Sequence, residues 1–402
     1  MVEKADPRDD SAAKARLLTV AQQAIADCHA FDLTRKAVSD LPALAAAPVH
    51  LLAMGKAAVA MAMGARVALQ QAGAQLAGGL LVTKPEVVNQ RSGEDLSASL
   101  RPLRLMYGSH PTPDARSAVA GRALLDYLAG VPAAARVVAL VSGGTSSLIA
   151  TPRPGGRLSA MARLSERLLA SGRPIAQVNA ERQALSCVAA GGLAAASRAD
   201  IEVMVLSDVL GDDLGVVGSG PFWRGAAAEP GGARVQHHLI ANHRTLLLAC
   251  ERAAREAGYG TIIHCQPDED EVALGARRWL ARLAAAPSPC LFIGGGEATV
   301  SLPERAGRGG RNHHLALLMA RGLAGYAATF LALASDGDDG NSGAAGAVVD
   351  GRSWTAMTQR LDPARALRTA DSQRALAAIG ASIAAANTGT NLLDLHLLLV
   401  GG

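Results

Sequence analysis

A polar, glycine-rich turn follows an apolar run in the segment VVALVSGGTSSLIATP, residues 137–152. Ser142, Gly143, Gly144 and Ser146 combine a backbone that a ligand can approach with N–H and hydroxyl donors. Such a turn before a helix suits an anionic group, above all phosphate. The alternative is a tight strand-to-helix turn with a serine N-cap. The segment lacks the G-K-[ST] of a Walker A loop and the G-x-S-x-G of a hydrolase elbow.

Lys56 lies in a second turn of this kind, in VHLLAMGKAA, between an apolar run and a predicted helix. A cation is disfavoured at the positive, N-terminal end of a helix. This misfit favours a functional role for Lys56, and a solvated surface lysine is the alternative.

Carboxylates follow two further apolar runs. Asp208 comes after IEVMVLS, and Asp336 comes after TFLALAS. At strand ends, such carboxylates can bind Mg²⁺ or accept a hydroxyl proton. Aspartate is also an ordinary turn residue, so part of these two acidic segments is expected to be structural. The segment DGDDGNSG lacks the glutamate and the flanking helices of an EF-hand.

Arg308 and Arg311 occupy the glycine-rich segment GRGGRN before a predicted helix. Arginines in such a loop suit bidentate capture of a carboxylate or phosphate, with solvated loop arginines as the alternative. Glu297, after the glycines of IGGGEATV, either orients an arginine or makes a capping contact. His313 and His314 are adjacent in a helix and point in different directions, so no histidine metal site is expected.

Buried strands and helices are expected to position these turns. In the sequence they correspond to apolar runs that alternate with helical stretches. Continuous apolar runs are typical of strands buried on both faces, as in parallel sheets, and their succession with helices predicts βαβ units. In doubly wound sheets, ligands bind outside the carboxyl ends of the strands, where these turns lie. Helices are predicted over 17–31, 116–130, 180–196, 244–258 and 312–325, and a last strand over 394–400.

The chain of 402 residues exceeds one ordinary domain, so two are predicted. The Ala-, Gly- and Pro-rich segment 224–236 is the predicted linker. It divides the chain into an N-terminal domain over 1–232 and a C-terminal domain over 233–402.

Composition excludes several classes of function. The aromatic content of 3% leaves few rings for stacking on bases, and a net charge of +4 from dispersed arginines does not indicate nucleic-acid binding. The five cysteines are widely spaced, without C-x-x-C, as expected for reduced thiols. The N-terminus is polar and no apolar run has membrane-spanning length, so a soluble cytoplasmic protein without a membrane partner is expected.

The ordered set of turns resembles that of class II glycerate kinases, which combine an N-terminal DUF4147 domain with a C-terminal MOFRL domain. The resemblance extends from about Leu17 to Val400, with a MOFRL-like core over about 288–402. The motifs that carry it are GKAAVAMA, HPTPDARS, VSGGTSSLIATP, LSDVLGDDLGVVGSGP, GGEATV, GRGGRN, SDGDDGNSGAAGAVVDG and NTGTNLLDLHLLLV.

This resemblance implies two Rossmann-like, doubly wound α/β domains with an active site in the cleft between them. It further implies transfer of the ATP γ-phosphoryl group to the 2-hydroxyl of D-glycerate, with Mg²⁺. The oligomeric state stays open, a homodimer included. Residues matched by motif, with roles assigned from their chemistry, are Lys56, Arg311 and Asp208 as catalytic; Ser142, Gly143, Gly144, Ser146, Gly295 and Glu297 as nucleotide-binding; Arg308, Asp336 and Asn312 as substrate-binding; and Asp208 and Asp336 as Mg²⁺ ligands.

The chain departs from the family pattern at several positions. The family's N-x-V-R-K-H-L-S reads NAERQALS over 179–186, and Ala190 replaces a lysine, so two lysines and a histidine are absent. Phe222 replaces a threonine, and His313 and His314 replace the Gln-Glu of G-R-N-Q-E. A kinase for a related hydroxy acid, a hydroxypyruvate reductase and an inactive paralogue are therefore alternatives to glycerate 2-kinase. The reductase is disfavoured because no G-x-G-x-x-G with a suitably spaced acidic residue is present.

Overall fold

The chain forms two compact units in a computed structural model that describes residues 11–85, 96–171, 175–225 and 233–401. The N-terminal unit comprises His29–Asn242 with Gly389–Asn391. The C-terminal unit comprises residues 11–28, His243–Thr388 and residues 392–401. It therefore includes the first helix of the chain, α1 (Ser11–Asp27).

A six-stranded parallel sheet forms the centre of the N-terminal unit. The strands are β1 (Val49–Met54), β2 (Leu76–Thr83), β3 (Leu103–Tyr107), β4 (Arg136–Val141), β5 (Asp200–Leu206) and β6 (Val235–Ala241). Their order is β3-β2-β1-β4-β5-β6, and every pairing is parallel. The order reverses between β1 and β4, which makes their carboxyl ends the switch point where such sheets bind ligands.

Helices connect the strands of this sheet. They are α2 (Ala30–Ser39), α3 (Ala58–Gln71), α4 (Leu96–Ser99), α5 (Ala115–Gly130), α6 (Thr145–Leu148), α7 (Leu158–Ser171), α8 (Ile175–Leu185) and α9 (Gly192–Ala196). The helix predicted over 180–196 is divided between α8 and α9. Ala190 and Gly191 adopt φ values of 48° and 79°, which a right-handed helix cannot contain.

The C-terminal unit contains a mixed six-stranded sheet. Its strands are β7 (Ile262–His264), β8 (Cys290–Gly296), β9 (Ala328–Ala334), β10 (Ala344–Asp350), β11 (Ser382–Ala384) and β12 (Asp394–Val400), in the order β11-β10-β9-β12-β8-β7. β12 is antiparallel to both β8 and β9, and β10 is antiparallel to β9 and β11. The α/β class is confirmed, but this sheet is not parallel throughout. Continuous apolar runs indicate that both faces of a strand are buried. A central antiparallel strand can be buried on both faces as well.

Six helices follow α1 in the C-terminal unit. They are α10 (His243–Glu256), α11 (Val272–Ala285), α12 (Arg311–Gly322), α13 (Ser353–Thr358), α14 (Pro363–Arg368) and α15 (Ser372–Ala377). Trp279 is fully buried at the centre of the core, with its ring edge-on to Phe330 at a centroid distance of 5.3 Å. Its indole N–H donates to Asp268 Oδ2 at 3.0 Å, which satisfies the one polar atom that burial takes from water.

The division of the chain by contacts differs from the predicted boundary at residue 232, which lies outside the described residues. β6 completes the sheet of the N-terminal unit, so the change of unit comes at His243. α1 packs on α10 of the C-terminal unit, although a single boundary would assign it to the N-terminal domain. A linker sought from composition cannot reveal that the first helix packs on residues more than 200 positions later.

In the described part of the chain, no helix combines the length and the apolar character needed to cross a membrane.

The packing of α1 predicts different costs for two adjacent leucines. Leu17 is fully buried, whereas Leu18 is only partly buried. We expect Leu17→Ala to lower the free energy of unfolding by about 2–5 kcal/mol, because it leaves a cavity in the core. Leu18→Ala should cost clearly less. Urea denaturation of both variants checks this, and equal losses would contradict the observed packing face of α1.

Candidate active site

The turn after β1 is fixed against the turn after β4. A Cβ on Gly55, whose φ is +120°, would lie 2.2 Å from Ser142 Oγ and 2.6 Å from Ser142 O. The Ser142 hydroxyl accepts the Ala57 N–H at 3.2 Å, and the Lys56 N–H donates to Gly143 O at 2.9 Å. Only a glycine permits this approach at residue 55. This contact between the two turns fixes the start of α3 and thereby the position of the Lys56 backbone, from which the side chain extends.

Four further side chains meet at the turn after β4. A Cβ on Gly143 would lie 1.8 Å from Asp208 Oδ2 and 2.4 Å from Asn391 Nδ2. A Cβ on Gly144 would lie 3.1 Å from His110 Cδ2 and 3.2 Å from Lys56 Cγ. We call this set the β4-turn cluster; its members are Lys56, His110, Gly143, Gly144, Asp208 and Asn391. The structure thus brings together Lys56, Asp208 and the two predicted glycines.

The hydroxyls of this turn serve different purposes. Ser142 is fully buried and its hydroxyl joins the two turns. The Ser142 side chain is enclosed between the two turns, and its predicted role as a nucleotide ligand stays a prediction. Ser146 is half-buried, and its Oγ lies 2.8 Å from Ser219 Oγ. Ser146 therefore remains available as a predicted ligand.

The Asp208 carboxylate contacts the side-chain amide of Asn391 beside the glycine-rich turn. It is half-buried, and its Oδ2 accepts the Asn391 amide N–H at 3.1 Å. Carboxylate and amide oxygens are ligands that suit Mg²⁺, which proteins usually bind through one or two carboxylates together with phosphate groups of the substrate. The donor set at Asp208 fits that pattern. Among the described residues, no group of three or more His, Cys, Asp or Glu side chains forms a metal site.

Arg311 is the centre of a second cluster, in the C-terminal unit. It is the first residue of α12, and its Nε and Nη2 donate to Asp394 Oδ2 and Oδ1 at 2.5 and 3.1 Å. Its Nη1 lies 3.2 Å from Glu297 Oε1. Of the two roles predicted for Glu297, the structure shows the one that orients an arginine. We call Glu297, Arg311 and Asp394 the Arg311 cluster.

Electrostatics keep Arg311 charged. Burial by itself would lower the pKa of Arg311, but the charges of Asp394 and Glu297 outweigh burial and raise that pKa. The arginine therefore carries its positive charge throughout the physiological pH range. Asp394 is almost fully buried, so Arg311 also supplies the countercharge that such a carboxylate needs.

Two residues predicted to bind ligands, Asn312 and Gly295, are buried in the C-terminal unit. Asn312 is fully buried, its Oδ1 contacts His396 Nε2 at 3.0 Å, and its Nδ2 donates to Asp339 Oδ1 at 3.4 Å. Gly295 lies within β8 opposite Leu395 on β12, and not in an open turn. The polar atoms of Asn312 contact partners inside the fold, and Gly295 is enclosed by its strand neighbours. The ligand roles of both residues stay predictions.

Arg308 and Asp336 lie at the surface of the C-terminal unit. Arg308 is exposed, and its Nη2 donates to Ser342 O at 3.2 Å. Asp336 is half-buried directly after β9, and its Oδ1 accepts the Asp338 N–H at 3.1 Å. Neither belongs to the Arg311 cluster as defined above, so their substrate and metal roles stay predictions.

Sequence reasoning missed three residues of the two clusters. His110, Asn391 and Asp394 stand in HPTPDARS, NTGTN and DLHLLLV. The first is a histidine after an apolar run, the same signal that identified Asp208. Asn391 and Asp394 gave no local signal, because their partners Asp208 and Arg311 lie 183 and 83 positions away.

Comparison with known families identifies the chain. Residues 16–239 match the family described as a domain of unknown function, DUF4147, and residues 290–394 match the MOFRL family. The DUF4147 match alone spans more than half of the chain. The chain belongs to the DUF4147–MOFRL family.

Relatives of this family member carry two kinds of name. A D-glycerate 2-kinase of Thermotoga maritima is 31% identical over 90% of this chain and 92% of the relative. A putative hydroxypyruvate reductase of Agrobacterium vitis is 32% identical over 74% of this chain and 78% of the relative. The crystal structure of a glycerate kinase from Thermotoga maritima superposes with a TM-score of 0.81 at 28% identity, covering 97% of this chain and 99% of the other.

The contact between the two turns predicts the effect of a single methyl group. Gly55→Ala would place a Cβ against the backbone of Ser142, at a φ that alanine rarely adopts. We expect a loss of about 1–3 kcal/mol in the free energy of unfolding from overpacking, with backbone strain in addition.

The matched control is Gly130→Ala, because a Cβ on Gly130 meets nothing within 4 Å. That variant should be neutral or more stable by about 0.4–1 kcal/mol. Calorimetric melting of both proteins gives the comparison, and an unchanged Gly55→Ala protein would refute the tight contact.

Proposed function

We propose that this family member is an ATP-dependent D-glycerate 2-kinase. The observation that carries the proposal is the β4-turn cluster, in which Lys56 and Asp208 meet a glycine-rich backbone at the switch point of a parallel sheet. Phosphoryl transfer requires alignment and neutralisation of charge rather than covalent chemistry from the protein. A lysine, the backbone of a glycine-rich turn and a carboxylate supply these requirements. The names and the extensive similarity of the kinase relatives support the same activity.

In the proposed reaction, the 2-hydroxyl oxygen of D-glycerate attacks the γ-phosphorus of ATP. The bond from that phosphorus to the β,γ-bridging oxygen breaks, ADP leaves, and the hydroxyl loses its proton. Lys56 stabilises the charge on the transferring phosphoryl group. Two groups of the β4-turn cluster can accept the proton, the His110 imidazole and the Asp208 carboxylate.

Arg311 is proposed to stabilise negative charge while held in one orientation. A guanidinium has five N–H donors, and Asp394 and Glu297 accept three of them. One N–H on each terminal nitrogen remains for an anionic ligand. Because its two carboxylate partners fix the plane of the guanidinium, little side-chain entropy would be lost on binding.

We further propose that Asp208 binds the Mg²⁺ of the nucleotide, with Asn391 as an oxygen donor beside it. When bound, the ion would neutralise phosphate charge. Asp336 is the second predicted ligand. Its carboxylate is half-buried at the end of β9 and accepts one backbone N–H.

A hydroxypyruvate reductase is the second candidate, because a relative carries that name and the strand order of the N-terminal sheet is that of dinucleotide-binding proteins. Against it, the first βα turn reads Gly55-Lys56-Ala57 and lacks the glycine pattern that lets a pyrophosphate approach. Oxidation of NADH by hydroxypyruvate, with no ADP formed from ATP and any hydroxy acid, would favour the reductase.

Removal of the Lys56 charge tests the proposal. We expect Lys56→Met to reduce ADP formation with ATP, Mg²⁺ and D-glycerate by about 100-fold or more, the loss typical of an electrostatic catalytic group. Lys36→Met is the control, because Lys36 is exposed on α2 and should not affect the rate. Wild-type rates in Lys56→Met, with the product confirmed as 2-phosphoglycerate, would remove Lys56 from the mechanism.

The Mg²⁺ role of Asp208 gives a separate prediction. Asp208→Asn retains the shape and the contact with Asn391 but removes a charge. The Mg²⁺ concentration for half-maximal activity should rise about 10-fold, since fewer charged ligands weaken binding of a hard cation. Asp126→Asn, at an exposed position of α5, should leave it unchanged. The same Mg²⁺ titration curve for all three proteins would contradict the assignment.

A further inference from the structure

The loop between β9 and β10, residues 335–343, holds the segment that leads into α12. Asn341 of this loop joins the two segments through its backbone and its side chain. Its N–H donates to Gly309 O at 3.0 Å, and the Gly309 N–H donates to Asn341 Oδ1 at 2.7 Å. The β9–β10 loop thus fixes the backbone two residues before Arg311.

Asp339 of the same loop caps α12 from outside the helix. The N-cap residue is Gly310, which has no side chain. Asp339 Oδ1 accepts the Asn312 N–H at 3.1 Å, and Asp339 Oδ2 accepts the His313 N–H at 2.8 Å. These two amides are the ones that the side chain of an N-cap residue usually satisfies. A Cβ on Gly310 would collide with the Asp339 carboxylate, so the glycine makes room for the cap.

Two side-chain contacts complete the surroundings of the Asp339 carboxylate, which is buried. Asn312 Nδ2 donates to Oδ1 at 3.4 Å, and His313 Nδ1 lies 2.6 Å from Oδ2. Because an ionised carboxylate only accepts hydrogen bonds, the imidazole Nδ1 is the donor. A carboxylate removed from water needs such donors. The four contacts bind Asp339 to the first turn of α12, and this turn cannot shift without breaking them.

Arg311 is anchored at both ends of its side chain. Asp394 on β12 accepts from its guanidinium. Its backbone lies between Gly310, which abuts Asp339, and Asn312, whose N–H donates to Asp339. A long, flexible side chain holds its charged end in one place only when the backbone from which it extends is also fixed.

We propose that Asp339 is the positioning residue for Arg311, whose backbone it holds by capping α12. This inference rests on the proposed kinase function, in which Arg311 stabilises negative charge. The Asp339 carboxylate is buried against α12, so it acts through Arg311 and not on the substrate. Because Asp336 belongs to the same loop, the cap also ties the loop of the second predicted Mg²⁺ ligand to the start of α12.

Asp339→Asn tests the proposal, because it keeps the shape of the side chain but turns an amide donor towards the N–H groups of α12. We expect kcat for ADP formation to fall about 10- to 100-fold, as for a misplaced catalytic group. KM for ATP and for D-glycerate should change less, since a charge aimed at developing negative charge acts mainly in the transition state. Asp350→Asn is the matched control. Asp350 is a buried carboxylate at the other end of β10, where it accepts from Ser353 and Arg352, and its substitution should leave kcat unchanged.

A double-mutant cycle distinguishes positioning from general destabilisation. Added to Arg311→Met, the Asp339→Asn substitution should change the remaining rate by no more than about twofold, because both substitutions affect the same group and their effects are then not additive. The full loss in the Arg311→Met background would overturn the inference. An unchanged kcat in Asp339→Asn alone, or an equal loss in Asp350→Asn, would do the same.

A measurement without turnover separates this inference from the kinase function. In ¹H–¹⁵N NMR spectra, the Nε–H signal of Arg311, identified by its absence from Arg311→Met, reports the contact of the guanidinium with Asp394. The signal should shift or broaden in Asp339→Asn and stay in place in Asp350→Asn. If the wild type forms no ADP, the proposed kinase fails, and an unmoved signal in Asp339→Asn would overturn the positioning role as well.

A surface variant covers the case in which Asp339→Asn fails to fold, which melting temperatures reveal. Asn341 is exposed, and Asn341→Ala removes the bond from the Gly309 N–H to its side chain. We expect this variant to lower kcat by up to about 10-fold, the size of one neutral hydrogen bond, and to shift the Arg311 signal. An unchanged kcat together with an unmoved signal would overturn the inference.

Discussion

The close approach of the first and fourth strand ends is the constraint on which the N-terminal unit depends. It requires a glycine at position 55, because any Cβ there meets the backbone of Ser142. It also requires a buried hydroxyl at 142, because that oxygen accepts the Ala57 N–H. These two requirements place Lys56 beside Gly144 before any ligand is present. Part of the polarity of the turn after β4 is therefore structural, because the Ser142 hydroxyl joins the two turns. The rest of its polar groups can serve a ligand.

In the C-terminal unit, a strand of opposite direction positions a charged side chain. Because β12 is antiparallel to β8 and β9, its first residue, Asp394, pairs with the last residues of both. A parallel strand would have placed its first residue at the opposite edge of the sheet. The antiparallel insertion thus brings a carboxylate to the edge where Arg311 begins α12, and the ion pair compensates burial of both groups.

Local sequence patterns predicted those features that depend on local chemistry. Buried strands followed by polar turns identified Lys56 and Asp208, which the structure brings to one glycine-rich turn. The same patterns could not distinguish a ligand-binding residue from a structural one. Asn312 is of a residue type common in binding sites, but its side chain contacts buried partners. Nor could they find Asn391, since its contact with Asp208 joins positions 183 residues apart. Such pairings follow from strand order, which apolar runs do not encode.

Whether the fold supplies a compensating partner distinguishes structural from ligand-binding polar residues more reliably than residue type does. A buried polar or charged group whose partners lie within the fold, such as Asn312 or the Asp394 carboxylate, contributes to the architecture. A cation that loses water without gaining a partner costs free energy in every molecule of the folded protein. Such a cost persists only where another benefit offsets it, and binding an anionic substrate is such a benefit.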